Sequence, residues 1–288
     1  MVALSVNIIL GFVIGILKLN EDFILYMLGI SAVSVISMLC ASLICAKFCG
    51  GMKACIGKYE KKTGLLDNFL LVVLGFSGCM TVNFIINLIS MFIPMPGSSD
   101  IPLVENMDIY NIIFMQLAIA VSPAICEELA FRGFAMGGLA DFGNGFAILV
   151  SSVLFGMMHN GVSGVLFAFS VGLMLGCIRK TSGSLIPSMI VHFLNNAYSV
   201  TAIVISKSFN IELFANISTI FVLSMCVLFV IMLVLVSRRN IGFFTFSSGD
   251  CVLTKSEKAK IIFTSPVFWA LVAFSALINI ISLVGAVS

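Results

Sequence analysis

Residues 213–236 read LFANISTIFVLSMCVLFVIMLVLV, a run without one charged side chain. At about 1.5 Å of rise per residue, such a helix covers a bilayer hydrocarbon core of about 30 Å. No face of it is polar enough to meet water. The rest of the chain shares this character: 60 % of residues are hydrophobic, 10 % are charged, and the mean hydropathy is +1.19. Soluble domains average about 45–50 % apolar and roughly 25 % charged residues. Lipid must cover this excess of apolar surface.

Outward from that run, apolar stretches separated by polar or Gly/Pro breaks predict further spans. They are Val2–Leu17, Phe23–Ala46, Leu65–Ile93, Ile109–Ile125, Gly145–Met158, Val162–Ile178, Leu185–Ile205 and Ile261–Val287. With Leu213–Val236, the fold class expected is an all-α polytopic transmembrane bundle of about eight to nine spans, forming one integral membrane domain over residues 1–288. Gly145–Met158 and Val162–Ile178 are short and flank a His-Asn-Gly break. Interrupted helices at membrane depth are tolerated only where protein or a wet cavity surrounds the backbone, so an internal cavity is expected there.

Charge sets the orientation. Lys47, Lys53, Lys58, Lys61 and Lys62 fall in one loop, and Arg238, Arg239, Lys255, Lys258 and Lys260 in another. Arg179 and Lys180 follow the sixth span, whereas residues 94–108 contain no Lys or Arg. With alternating spans and a cytoplasmic N-terminus, all 15 basic residues except Lys18 and Lys207 lie inside, as the positive-inside rule requires. The N-terminal segment lacks a basic n-region and an A-x-A site, and it reads as a retained first span. The net charge of +2 and the lack of a basic stripe offer nothing to nucleic acid. The nine cysteines form no CxxC pair. Cys45, Cys49 and Cys55 cluster beside a basic loop, where packing outweighs a zinc or palmitoylation reading.

Ionisable groups at membrane depth are costly and are functional candidates by default. Glu127-Glu128-Leu129-Ala130-Phe131-Arg132 ends the fourth span; the chain's two histidines stand in Phe155-Gly156-Met157-Met158-His159 and in His192-Phe193-Leu194-Asn195-Asn196. Glu128 and Arg132 are four apart, the favourable order for an ion pair, which leaves Glu127 turned away with a proton to exchange. His192 and Asn196 share a helical face. Each motif alone is as well explained by a snorkelling charge cluster or an interhelical hydrogen bond. Together they assemble a base for water, an imidazole and hydrogen-bond donors, which is what amide hydrolysis requires.

The ordered set E-E-x-x-x-R, F-x-x-x-H, H-x-x-x-N resembles the CPBP family of intramembrane proteases, which includes CAAX prenyl endopeptidases, bacteriocin-processing and immunity proteins, and Abi proteins. The resemblance covers residues 109–205, the expected protease core. It implies a helical bundle around a cavity open to the cytoplasmic side. It also implies Glu127 as base, His159 as its partner, and His192 with Asn196 as oxyanion donors; Glu128 and Arg132 would support them. No cofactor follows from the motifs. A zinc ion held by Glu127, His159 and His192 is the alternative chemistry, although HExxH is absent.

The expected function is an intramembrane endopeptidase acting on a membrane-associated peptide, either a lipidated tail or a leader or signalling peptide. The expected location is a bacterial plasma membrane, with the active site facing the cytoplasm. The competing readings are a non-catalytic scaffold or bacteriocin-immunity protein that binds a partner through the same fold, and a transporter with an intramembrane proton site.

Overall fold

The computed structural model describes residues 22–59, 63–93, 95, 108–208, 211–247, 249 and 253–287. It is 84 % helical, with no strand among the described residues. The expected first span, Val2–Leu17, lies outside them. In chain order the helices are α1 Phe23–Phe48, α2 Met52–Ile56, α3 Leu65–Ser90, α4 Ile109–Gly138, α5 Asn144–Gly156, α6 Val162–Ser182, α7 Leu185–Ser208, α8 Ile211–Arg239, α9 Lys255–Phe263 and α10 Pro266–Val287.

Among the described residues, α1, α3, α4, α6, α7 and α8 are long and apolar enough to cross a bilayer. The last expected span is two helices, α9 and α10, bent by 59°; Pro266 at the start of α10 supplies no N–H to continue the preceding helix. The expected fifth span is α5, only 13 residues long. At about 1.5 Å per residue it reaches roughly 20 Å, too short to cross alone.

Local signals set the helix ends. Asp22 caps α1 by accepting the Leu25 N–H at 3.0 Å, and Asp108 caps α4 by accepting that of Asn111 at 2.7 Å. α6 stops at Gly183, whose φ of 68° suits the left-handed cap. α4 does not stop at Ile125 as the apolar pattern predicts. It continues to Gly138 through two π-helical stretches, Gln116–Val121 and Leu129–Ala135, on either side of Ser122–Glu128. Such bulges in an α-helix often mark functional sites. Pro123 helps explain the first, because it has no N–H for the carbonyl four residues back, that of Ile119.

The core lies between α3, α6, α7 and α8 and is built from Leu71, Leu74, Met80, Leu175, Ile178 and Val191, all nearly inaccessible. α5 packs on α6 through glycines: a Cβ on Gly172 would stand 3.1 Å from Ser152 Cβ, and one on Gly176 would stand 2.9 Å from Ile148 Cγ2. The Gly172-x-x-x-Gly176 spacing thus serves contact within the chain.

The three clustered cysteines pack where α1 and α2 meet the end of α4. Cys45 Sγ lies 3.9 Å from Cys49 Sγ, and a Cβ on Gly138 would meet Cys49 Sγ at 2.7 Å. Burial and the neighbouring Cys49 push the Cys55 thiol up to about 11.

Candidate active site

Glu127 and Glu128 lie in the α-helical turn between the two π-helical stretches of α4, and their side chains diverge. Glu128 is fully buried. Its Oε1 meets Arg132 Nη1 at 2.9 Å and His192 Nδ1 at 3.1 Å. The ion pair anticipated from the four-residue spacing is present inside the bundle. Arg132, also buried, directs Nη2 to the Gly172 carbonyl at 3.5 Å and stacks its guanidinium 4.3 Å from the centre of the Phe155 ring. One charged pair thus ties α4 to α6, α7 and the end of α5.

Glu127 faces a cavity of about 310 Å³ whose wall also includes Phe155, His159, His192, Asn195 and Asn196. All four residues expected from the sequence to act on water or substrate therefore border one space. Among the described residues this polar pocket sits within walls of otherwise apolar side chains such as Ile30, Ala118 and Val171.

Of the two imidazoles, that of His192 lies nearer Glu127. Glu127 Oε2 stands 3.8 Å from His192 Nε2, and no contact within 4.0 Å joins it to His159. His192 thus bridges the two glutamates, Nδ1 toward Glu128 and Nε2 toward Glu127. A carboxylate only accepts, so Nδ1 carries the hydrogen there and Nε2 is the nitrogen presented to the cavity. His159 is fixed likewise: its Nδ1 donates to the Phe155 carbonyl at 2.9 Å, which directs Nε2 elsewhere. The Phe155 ring contacts both imidazoles, with centroids 4.8 Å from His159 and 5.8 Å from His192. Phe155 is the spacer that the F-x-x-x-H pattern encodes.

Asn196 is partly committed. Its Nδ2 donates at 3.0 Å to the Ile119 carbonyl, the one that Pro123 cannot serve. Its Oδ1 accepts from Asn195 Nδ2 at 3.0 Å. One amide hydrogen of Asn196 is left for other work. Asn195, buried and cavity-lining, was not among the residues expected to act; its adjacency to Asn196 in the sequence was the only hint.

Among the described residues, no group of three or more His, Cys, Asp and Glu side chains is placed to hold a metal ion.

Fold and site together define a polytopic helical membrane protein with carboxylate and imidazole groups around an internal cavity. Residues 109–198 match a family model described as type II CAAX prenyl endopeptidase Rce1-like. Neither the curated proteins nor the solved structures contain a match to the chain.

Proposed function

We propose that this protein is an intramembrane endopeptidase that hydrolyses a peptide bond in a membrane-associated peptide by direct attack of water. The observation that carries the reading is the convergence of Glu127, His159, His192 and Asn196 on one cavity inside an apolar bundle. Glu127 takes a proton from a cavity water as that water attacks the scissile carbonyl. His159, held by the Phe155 carbonyl, orients the water through Nε2. His192, donating its Nδ1 hydrogen to Glu128, carries a proton on Nε2 when it is the imidazolium. That proton and the remaining amide hydrogen of Asn196 meet the oxyanion. Glu127 then returns its proton to the leaving amine. Glu128 and Arg132 act at one remove, by fixing His192.

The test is cleavage by the purified full-length protein in liposomes. The probes are two internally quenched peptides, one farnesylated at a C-terminal cysteine and one of leader type with an apolar anchor. Turnover of either that disappears in Glu127→Gln and in His159→Ala supports the assignment. Turnover that survives both substitutions removes it.

A second reading, a scaffold that keeps the motifs for stability, is favoured by one observation: Glu128, Arg132 and Asn196 all make interhelical contacts that would hold the bundle without any chemistry. A Glu127→Gln chain that retains its cellular effect would favour it.

A further inference from the structure

We propose that Asn195 is a substrate-positioning residue, whose Oδ1 accepts a main-chain N–H of the peptide held in the Glu127 cavity, beside the bond to be cut. This deepens the peptidase reading and rests on it.

The orientation of two amides is set from outside the cavity. Asn196 Nδ2 lies 3.0 Å from the Ile119 carbonyl, which can only accept, so the nitrogen of that amide must face α4. Its Oδ1 is thereby turned to Asn195, whose Nδ2 donates at 3.0 Å. With its nitrogen committed to Asn196, the Asn195 amide holds Oδ1 on its other branch. One main-chain carbonyl of α4 thus fixes both side chains.

Among the described residues, no protein group donates to Asn195 Oδ1. The polar neighbours are engaged elsewhere. His192 Nδ1 donates to Glu128 at 3.1 Å, and Ser199 Oγ donates to the main-chain carbonyl of Asn195 at 3.2 Å. Gln116 Nε2 reaches Thr201 Oγ1 at 3.1 Å. Yet Asn195 is only 6 % exposed, and it lines the cavity with Ile30, Ala118 and Val171. A buried amide oxygen is costly to keep without a donor, and an apolar side chain of the same size would serve packing better. This oxygen has a use that packing does not supply.

The use it suits is the holding of a peptide. His192 and the remaining amide hydrogen of Asn196 are donors, matched to a carbonyl oxygen, and Glu127 is reserved for water. A main chain also brings N–H groups, which need a neutral acceptor once they are stripped of their own water. Asn195 and Asn196 are consecutive on α7, so an acceptor and a donor stand side by side there. The N–H and C=O groups of a peptide stand side by side in the same way. A proline or an N-methylated residue at the matching position lacks that hydrogen and is disfavoured, which makes Asn195 a determinant of where the chain is cut.

The experiment is binding, which does not require turnover. The full-length Glu127→Gln chain in liposomes is titrated with the farnesylated and the leader-type peptides, each made as a series with one N-methyl group moved along the main chain. The titrations are repeated with Asn195→Leu added, and with Asn195→Ala, which brings no bulk and serves if the leucine variant does not fold. The expected result is one N-methyl position that weakens binding by about tenfold or more, and by less than about threefold once Asn195 is replaced. A uniform loss in the Asn195 variants with no position singled out would mean that Asn195 only supports the fold. Equal N-methyl penalties with and without Asn195 would mean that another group holds the peptide. Either result overturns the proposal and leaves the peptidase reading in place, whereas a Glu127→Gln chain that binds neither series overturns both.

Discussion

His192 Nδ1 stands 3.1 Å from Glu128 Oε1, the carboxylate oxygen that also meets Arg132 at 2.9 Å. A group that had seemed auxiliary in the motif is thereby the anchor of an imidazole in the cavity. The two adjacent glutamates have different physical tasks: Glu128 is sealed in a charged network, and Glu127 has access to water.

The sealed pair governs stability. Removing one member of a buried ion pair strands the other, at a cost of about 3–5 kcal/mol. Glu128→Ala is expected to lower thermal stability in detergent by that order, because Arg132 is left buried without its carboxylate. Glu128→Leu combined with Arg132→Met should recover most of the loss. A double variant as unstable as the single one would show that the pair is not the cause.

On the proposed mechanism the accessible glutamate governs turnover. Glu127→Gln keeps the shape of the side chain and leaves the Glu128–Arg132 pair intact, so stability should change by no more than about 0.5 kcal/mol. Peptide cleavage should fall by about 10²-fold or more, the usual contribution of a positioned general base. Parallel melting and quenched-peptide assays separate the two quantities.

Asn196 and Pro123 should be coupled through one carbonyl. Asn196→Ala leaves the Ile119 oxygen without its side-chain donor, at a cost of about 1–3 kcal/mol. Pro123→Ala restores an N–H four residues downstream of that oxygen. In a double-mutant cycle by thermal unfolding, the combined loss should be smaller than the sum of the single losses by more than about 0.5 kcal/mol. Strict additivity would mean that the two residues do not share the acceptor.

The glycine seam between α5 and α6 positions His159. Gly176→Leu places atoms where Ile148 already stands, and overpacking of this kind costs about 1–3 kcal/mol. Cleavage should decline with stability, since α5 carries Phe155 and leads into His159. Light scattering in detergent should give an unchanged mass, because this seam lies within one chain.

Much of the site was legible in the residues. Four-residue spacing placed Glu128 against Arg132, since the periodicity of a helix determines which neighbours share a face. The F-x-x-x-H spacing similarly brought Phe155 beside His159. The choice between imidazoles was not legible. Which histidine approaches Glu127 depends on how α7 packs against α4, a contact between residues more than sixty positions apart. The full length of α4, to Gly138, was harder to read than the Glu128–Arg132 pair: its continuation contains Glu127, Glu128 and Arg132, so hydropathy falls although the helix persists in the protein interior.

Composition and charge by themselves determined that this chain lives in lipid, which end carries the cations, and which few polar residues must be sheltered there, because transfer from water to hydrocarbon is a property of each side chain. The approach of His192 to Glu127 and the divided hydrogen bonding of Asn196 were decided only by tertiary structure. Those depend on which helix faces meet and at what depth, and helices of nearly uniform apolarity carry little record of either along the chain.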